Sequence, residues 1–231
     1  MNQTQEIKQQ TNNFSITFKL AFSASMISLA TILSFVSSLI KIPFLAQLSL
    51  TIDISIICII PLIFICSLSW ANLSGVAIAL LNFVWDAHNW IGILILLVAN
   101  VVTTTLFYLL YKATLWSKKL AHTKRKWIII WLLIIIINTL VFTILNGIIF
   151  TPLYWWWFAP NQFSLNFIEV EKIYNSNPYL HVYLLGIPDY WTGIFALYSI
   201  LNLIKFTAVA FFSTPTLFYF QKYSLTANLF V

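Results

Sequence analysis

Charge is the scarcest property of this sequence: only six acidic and twelve basic side chains stand among 231 residues. A soluble domain of this length covers its core with a charged exterior, and so few ionic groups cannot form one. Glycine is scarce too, with five scattered copies, and no stretch reads Gly-x-x-x-x-Gly-Lys-Ser/Thr. The chain is therefore expected to lack a phosphate cradle and to hydrolyse no ATP itself. Cys58 and Cys66, the two cysteines, fall inside one apolar run, which argues against a disulfide framework. His88, His122 and His181 have no partners at metal-ligand spacing, and no nucleophile elbow occurs. Neither a metal site nor an enzyme is expected. The opening residues 1–13 are polar, with no basic stretch leading into a short apolar core, so no cleavable signal peptide is expected.

What the chain has in abundance is apolar length. Hydrophobic residues make up 61% of it, and the mean hydropathy is +0.90. A helix needs roughly 20 apolar residues to cross about 30 Å of hydrocarbon. Six segments approach that requirement: Phe14 to Ile40, Ile52 to Trp70 with Pro61 inside, Ala71 to Trp85, Trp90 to Lys112, Trp127 to Phe150 and Tyr198 to Lys222. The expected fold is an all-α membrane protein with six transmembrane helices. Its parts are a polar N-terminus (1–13), a membrane domain (14–222) with one long loop (151–190), and a C-terminal tail (223–231). No internal repeat and no boundary between two domains is visible.

Orientation follows from the basic residues. Lys112, Lys118, Lys119, Lys124, Arg125 and Lys126 lie between the fourth and fifth segments and are half of all Lys and Arg. The positive-inside rule places that loop in the cytoplasm, and six spans then place both termini there. The segment from Thr151 to Tyr190 is accordingly external. It carries Tyr154 and the run Trp155, Trp156, Trp157 and Phe158, which reads as an interfacial anchor or as the lining of a ligand entrance.

Polar groups inside apolar helices ask for a reason, because a charge at the bilayer centre costs about 2.5–3.5 kcal/mol on insertion scales. Lys205 is the clearest case, with Asn202 three residues earlier on the same helix face. Snorkelling or a bond to a neighbouring helix would be the structural explanation; ligand binding is the functional one. Asn146, near the end of the fifth segment, offers two donors and two acceptor lone pairs, enough to read the edge of a heteroaromatic ring. Asn138, two turns further in, is read as structural. Small residues recur four apart on the first segment, as in Ala21 with Ser25 and Ala24 with Ser28. That spacing lets helix backbones approach closely, within this chain or against a partner subunit.

These features resemble the substrate-binding S components of energy-coupling factor (ECF) vitamin transporters, most of all the riboflavin-specific group. The resemblance rests on the six-helix layout, on Asn146, Pro152 and Tyr154 in an Asn-x5-Pro-x-Tyr pattern, and on Asn202-Leu203-Ile204-Lys205. Asp53-Ile54-Ser55 and Ala99-Asn100 match more weakly, and Ser replaces one Ala of the family's Ala-x-x-x-Ala at every register of the first helix. The resemblance implies a cell-membrane subunit that binds a vitamin outside the cell. It would work with a transmembrane coupling subunit and two ATPases, with no nucleic-acid partner and no cofactor, riboflavin being cargo. It assigns ligand contacts to Asn146, Asn202, Lys205, Tyr154, Pro152 and Asn100, and partner contacts to Ala21, Ala24, Ser25 and Ser28. An S component for folate or pantothenate, a self-sufficient secondary transporter, and a membrane assembly factor or embedded enzyme are the competing readings.

Overall fold

The computed structural model describes residues 14–39, 42–45, 48–50, 52–116 and 125–227. The expected polar N-terminus and most of the basic loop, with Lys118, Lys119 and Lys124, lie outside the described residues. In chain order the elements are α1 (Ile16–Leu39), β1 (Ile42–Leu45), β2 (Leu48–Leu50), α2 (Ile56–Ile59), α3 (Leu62–Ile65), α4 (Leu68–Leu81), α5 (Phe83–Asp86), α6 (Trp90–Trp116), α7 (Arg125–Leu145), α8 (Thr151–Phe158), α9 (Phe167–Ser176) and α10 (Tyr190–Ala227). A π-helical turn, Asn146–Phe150, joins α7 to α8, and 3-10 turns occupy Ala87–Asn89 and Pro178–Leu184. The two short strands pair antiparallel, Ile42 with Leu50 and Leu45 with Leu48.

Short polar side chains set where the helices begin. Ser15 accepts from the Phe18 amide and Asn89 from the Gly92 amide at 3.1 Å. Asn166 does the same for Ile168, and Asp189 for Thr192 at 2.8 Å. Each satisfies an amide that the first turn of a helix leaves without an internal acceptor.

Among the described residues, four helical stretches are long and apolar enough to cross a membrane: Ile16–Leu39, Leu68–Thr114, Lys126–Phe158 and Tyr190–Phe218. The second holds 47 residues; as one rod it would extend about 70 Å, twice the hydrocarbon thickness. It is interrupted instead at Asn82 and at the Ala87–Asn89 turn. On α7 exposed side chains recur four apart at Ile128, Leu132, Ile136, Leu140 and Ile144, with Ile129 and Leu133 exposed beside them, while Ile130, Ile134 and Phe142 are buried. A stripe of bare aliphatic side chains suits lipid rather than water. The chain is a helical membrane protein.

Three segments differ from the sequence reading. The segment from Ile52 to Trp70 is not one helix: it breaks at Pro61, which has no amide hydrogen to continue the ladder, and again before Leu68, where Ser67 caps α4. The fifth helix runs past Phe150 to Phe158, and the last starts at Tyr190, not Tyr198, and continues to Ala227. The long loop therefore shortens to residues 159–189 and contains a helix of its own.

The described residues fall into two compact units, one drawn from Met1–Lys41, Thr51–Ile134 and Thr207–Val231, the other from Ile42–Leu50 and Ile135–Phe206. In the first, α4 and α6 pack so closely that a Cβ on Gly75 would sit 3.0 Å from that of Asn100. An aromatic cluster of Phe64, Phe107, Tyr111 and Trp127 closes the same unit. The second has a core of Val170, Tyr174, Leu184, Tyr190, Ile194 and Leu197.

Candidate functional site

The second unit holds the groups that the sequence singled out most strongly. Pro152 cannot donate to the carbonyl four residues back, and the helix before it widens: the Thr151 amide reaches Asn146, five residues earlier. Single π turns of this kind occur often at functional sites. The widening releases the Gly147 carbonyl, which accepts from the Tyr190 hydroxyl at 2.7 Å. Glycine is required there, because a Cβ would lie 2.6 Å from the Trp191 ring. Two further polar contacts join the same helices, Thr151 with the Tyr198 hydroxyl at 3.1 Å and Thr143 with Ser199 at 3.3 Å. The start of α10 is thus pinned at three successive turns, to the end of α7, the π-helical turn and the head of α8.

Within that frame Asn146 is 8% exposed, and its amide nitrogen donates to the Phe142 carbonyl at 2.6 Å. The Phe142 ring meets that of Phe206 at 5.7 Å, and the Lys205 ammonium lies 5.9 Å from the Phe206 centroid. Asn146 is thus bonded to the backbone of Phe142, whose ring meets the Phe206 ring that Lys205 borders. Asn202, one turn before Lys205, has its Nδ2 buried with no hydrogen-bond partner. A buried amide nitrogen left unmatched costs about 1–3 kcal/mol, and a ligand acceptor would remove that cost.

The other expected residues are dispersed. Pro152 is buried at the head of α8, and the Tyr154 ring stacks on Phe158 at 6.3 Å. Asn100 belongs to the first unit, where its amide donates to the Gly75 carbonyl at 3.1 Å and serves helix packing. The aromatic run divides: Trp155 turns inward against Phe163, Tyr174, Tyr183 and Tyr190, while Trp157 and Phe158 remain exposed. Trp155 is partly buried and packs against the core of the second unit.

Sequence reasoning missed Tyr190, Tyr198, Thr143 and Ser199. Hydroxyls near helix ends are common, and only the Gly147 to Pro152 spacing signals that a carbonyl would need an outside donor. The loop between α9 and α10 is ordered by the Tyr174 hydroxyl, which donates to the Ile187 carbonyl at 2.6 Å. Burial, helped by the nearby Asp189 carboxylate, pushes that phenol up to about 12. Hydrogen bonds from the Thr192 hydroxyl and amide hold Asp189 below the ordinary carboxylate value.

On α1, Ala21, Ala24, Ser25 and Ser28 all face outward, whereas Ser23, Ala30, Ser34 and Ser37 are buried. The Ser25 and Ser28 hydroxyls donate to the Ala21 and Ala24 carbonyls at 2.9 Å. That satisfies them inside the helix and leaves a smooth face of small residues.

No protein-family model matches the chain, and no solved structure matches it. It is 48% identical over 206 residues to a Mycoplasma pneumoniae protein described as "Uncharacterized protein MG350.1 homolog", a match covering 89% of this chain and 88% of that one. It is 40% identical over 206 residues to the Mycoplasma genitalium "Uncharacterized protein MG350.1", covering 89% of each. Identity at that level along nearly the full length of both relatives means that the chain belongs to the MG350.1 family of mycoplasmas.

Proposed function

We propose that this protein is the substrate-binding S component of an ECF-type importer, capturing riboflavin outside the cell for ATP-driven uptake. On this reading α1, the broken α2–α3 pair, α4, α6, α7 and α10 are the six crossings, set in the cell membrane with both termini cytoplasmic. The observation that carries the proposal is the unpartnered, buried amide nitrogen of Asn202 one turn from Lys205. A flavin offers ring carbonyls and nitrogens to donors of that kind, and the neighbouring aromatic rings offer apolar surface to its faces.

Each residue then has a separable role. Lys205 and Asn202 donate to the isoalloxazine edge, and Asn146, held by Phe142, presents its carbonyl oxygen. The pinned turns from Thr143 to Thr151 keep α7 and α10 in register, so that little is reordered on binding. The outward small-residue face of α1 suits close approach by the helices of a coupling subunit, and the two ATPases supply the energy. Riboflavin is cargo, and no resident cofactor is called for.

The test is titration of the detergent-purified chain with riboflavin, followed by quenching of flavin fluorescence. Saturable, stoichiometric quenching is expected, and a preparation that carries flavin absorbance through washing would agree. No quenching by a folded, monodisperse sample would overturn the riboflavin assignment.

A further inference from the structure

A second polar cluster, in the first unit, involves none of these residues. Ser34 on α1, Asp53 in the extended stretch before α2, and Asn82 at the end of α4 converge. The Ser34 hydroxyl lies within hydrogen-bonding reach of both the Asp53 carboxylate and the Asn82 side-chain oxygen, the latter at 3.0 Å. One hydroxyl has one hydrogen and cannot serve both acceptors. Asn82 cannot be turned to offer its nitrogen instead, because that nitrogen already donates to the Ile78 carbonyl at 2.9 Å. Three oxygens therefore converge with one positive group too few.

Among the described residues nothing supplies it. The other Asp53 oxygen accepts from the Ser55 amide at 2.7 Å, and among the described residues no basic side chain pairs with Asp53. Ser34 and Asn82 are buried, and Ser55 is fully buried with its hydroxyl oxygen unpartnered. Asp53 itself is half-buried, which leaves a way in from water. The chain around it is extended and then broken into the short α2 and α3, and interrupted helices of this sort line ion sites in membrane proteins.

We propose that Asp53, Ser34 and Asn82, with Ser55 beside them, bind one monovalent, sodium-sized cation. The donors are hard oxygens, which suit alkali and alkaline-earth ions rather than thiophilic metals. The described residues bring no three His, Cys, Asp or Glu side chains together. A single carboxylate balances a single positive charge, whereas a divalent ion would leave one charge unmatched in a largely buried site.

The experiment uses the full chain in lipid nanodiscs, with thermal unfolding followed by tryptophan fluorescence in sodium chloride or choline chloride at equal ionic strength. Sodium should raise the melting temperature saturably, and radiolabelled sodium should bind one per chain. In Asp53→Asn the new amide can donate to Ser34, supplying the missing hydrogen. That variant should melt in choline at or above the wild-type temperature and should not respond to sodium. Equal stabilisation by choline, a sodium response retained in Asp53→Asn, or the absence of bound sodium would each overturn the site, the last also if pH alone moved the melting temperature. Neither readout depends on riboflavin, so this proposal and the importer reading can fail separately.

Discussion

The two units use polar groups within apolar helices in opposite ways. In the first, the Asn100 amide, inside α6, is consumed by the Gly75 carbonyl. In the second, hydroxyl groups pin α10 to α7 while the amide nitrogen of Asn202, beside Lys205, is left with no partner. A polar atom satisfied by its own unit serves structure. One held in a rigid frame and left unmatched is suited to a ligand. The contrast also explains why Asn100, similar in sequence setting to Asn146 and Asn202, does not join them in the second unit.

The largest effect on this contrast should come from Tyr190→Ala, which removes a fully buried ring and the donor to the Gly147 carbonyl. Loss of about 3–5 kcal/mol of stability is expected, the range for deleting a buried aromatic ring, with a collapsed melting transition in detergent and no riboflavin binding. Lys205→Leu should separate function from structure. Insertion becomes easier once a charge is removed, yet affinity should fall roughly ten- to a hundredfold, the loss of a hydrogen bond from a charged donor. Asn202→Leu should weaken binding less while leaving the melting temperature unchanged or higher, since a buried orphan is removed. Thermal melts beside fluorescence titrations measure both arms.

Ala24→Leu with Ser28→Leu should spare riboflavin binding and melting temperature while blocking capture by the coupling subunit, because both positions face outward on α1. Pull-down of the reconstituted complex measures this. The smallest effect concerns Asp189, whose folded value lies below its ordinary 3.8. A depressed carboxylate stabilises the fold above its unfolded value, and that contribution is lost as pH falls through the folded value. Acid titration of wild type against Asp189→Asn should therefore converge below about pH 3.8 and differ above it, by no more than about 1 kcal/mol for an exposed cap.

The long helices were legible because lipid imposes a length, and apolar runs such as Trp127 to Phe150 meet it openly. Lys205 and Asn202 were legible as polar exceptions within one such run. The break of Ile52 to Trp70 was hidden by uniform apolar composition around Pro61, although the proline itself was visible. The early start of α10 was hidden because Asp189, Thr192 and Gly193 dilute its first turns and resemble loop. Least legible were pairings between distant positions: Ser34 meets Asp53 and Asn82, 19 and 48 residues away, and nothing local marks any of the three as a partner of the others.

Riboflavin capture by the second unit is tested most directly by one titration, flavin-fluorescence quenching by the purified wild-type chain set beside Lys205→Leu, each verified as folded by its thermal melt. Saturable stoichiometric quenching by wild type, with affinity at least tenfold weaker in the variant at unchanged melting temperature, is the predicted result. Quenching of equal affinity by both proteins, or by neither, would contradict it.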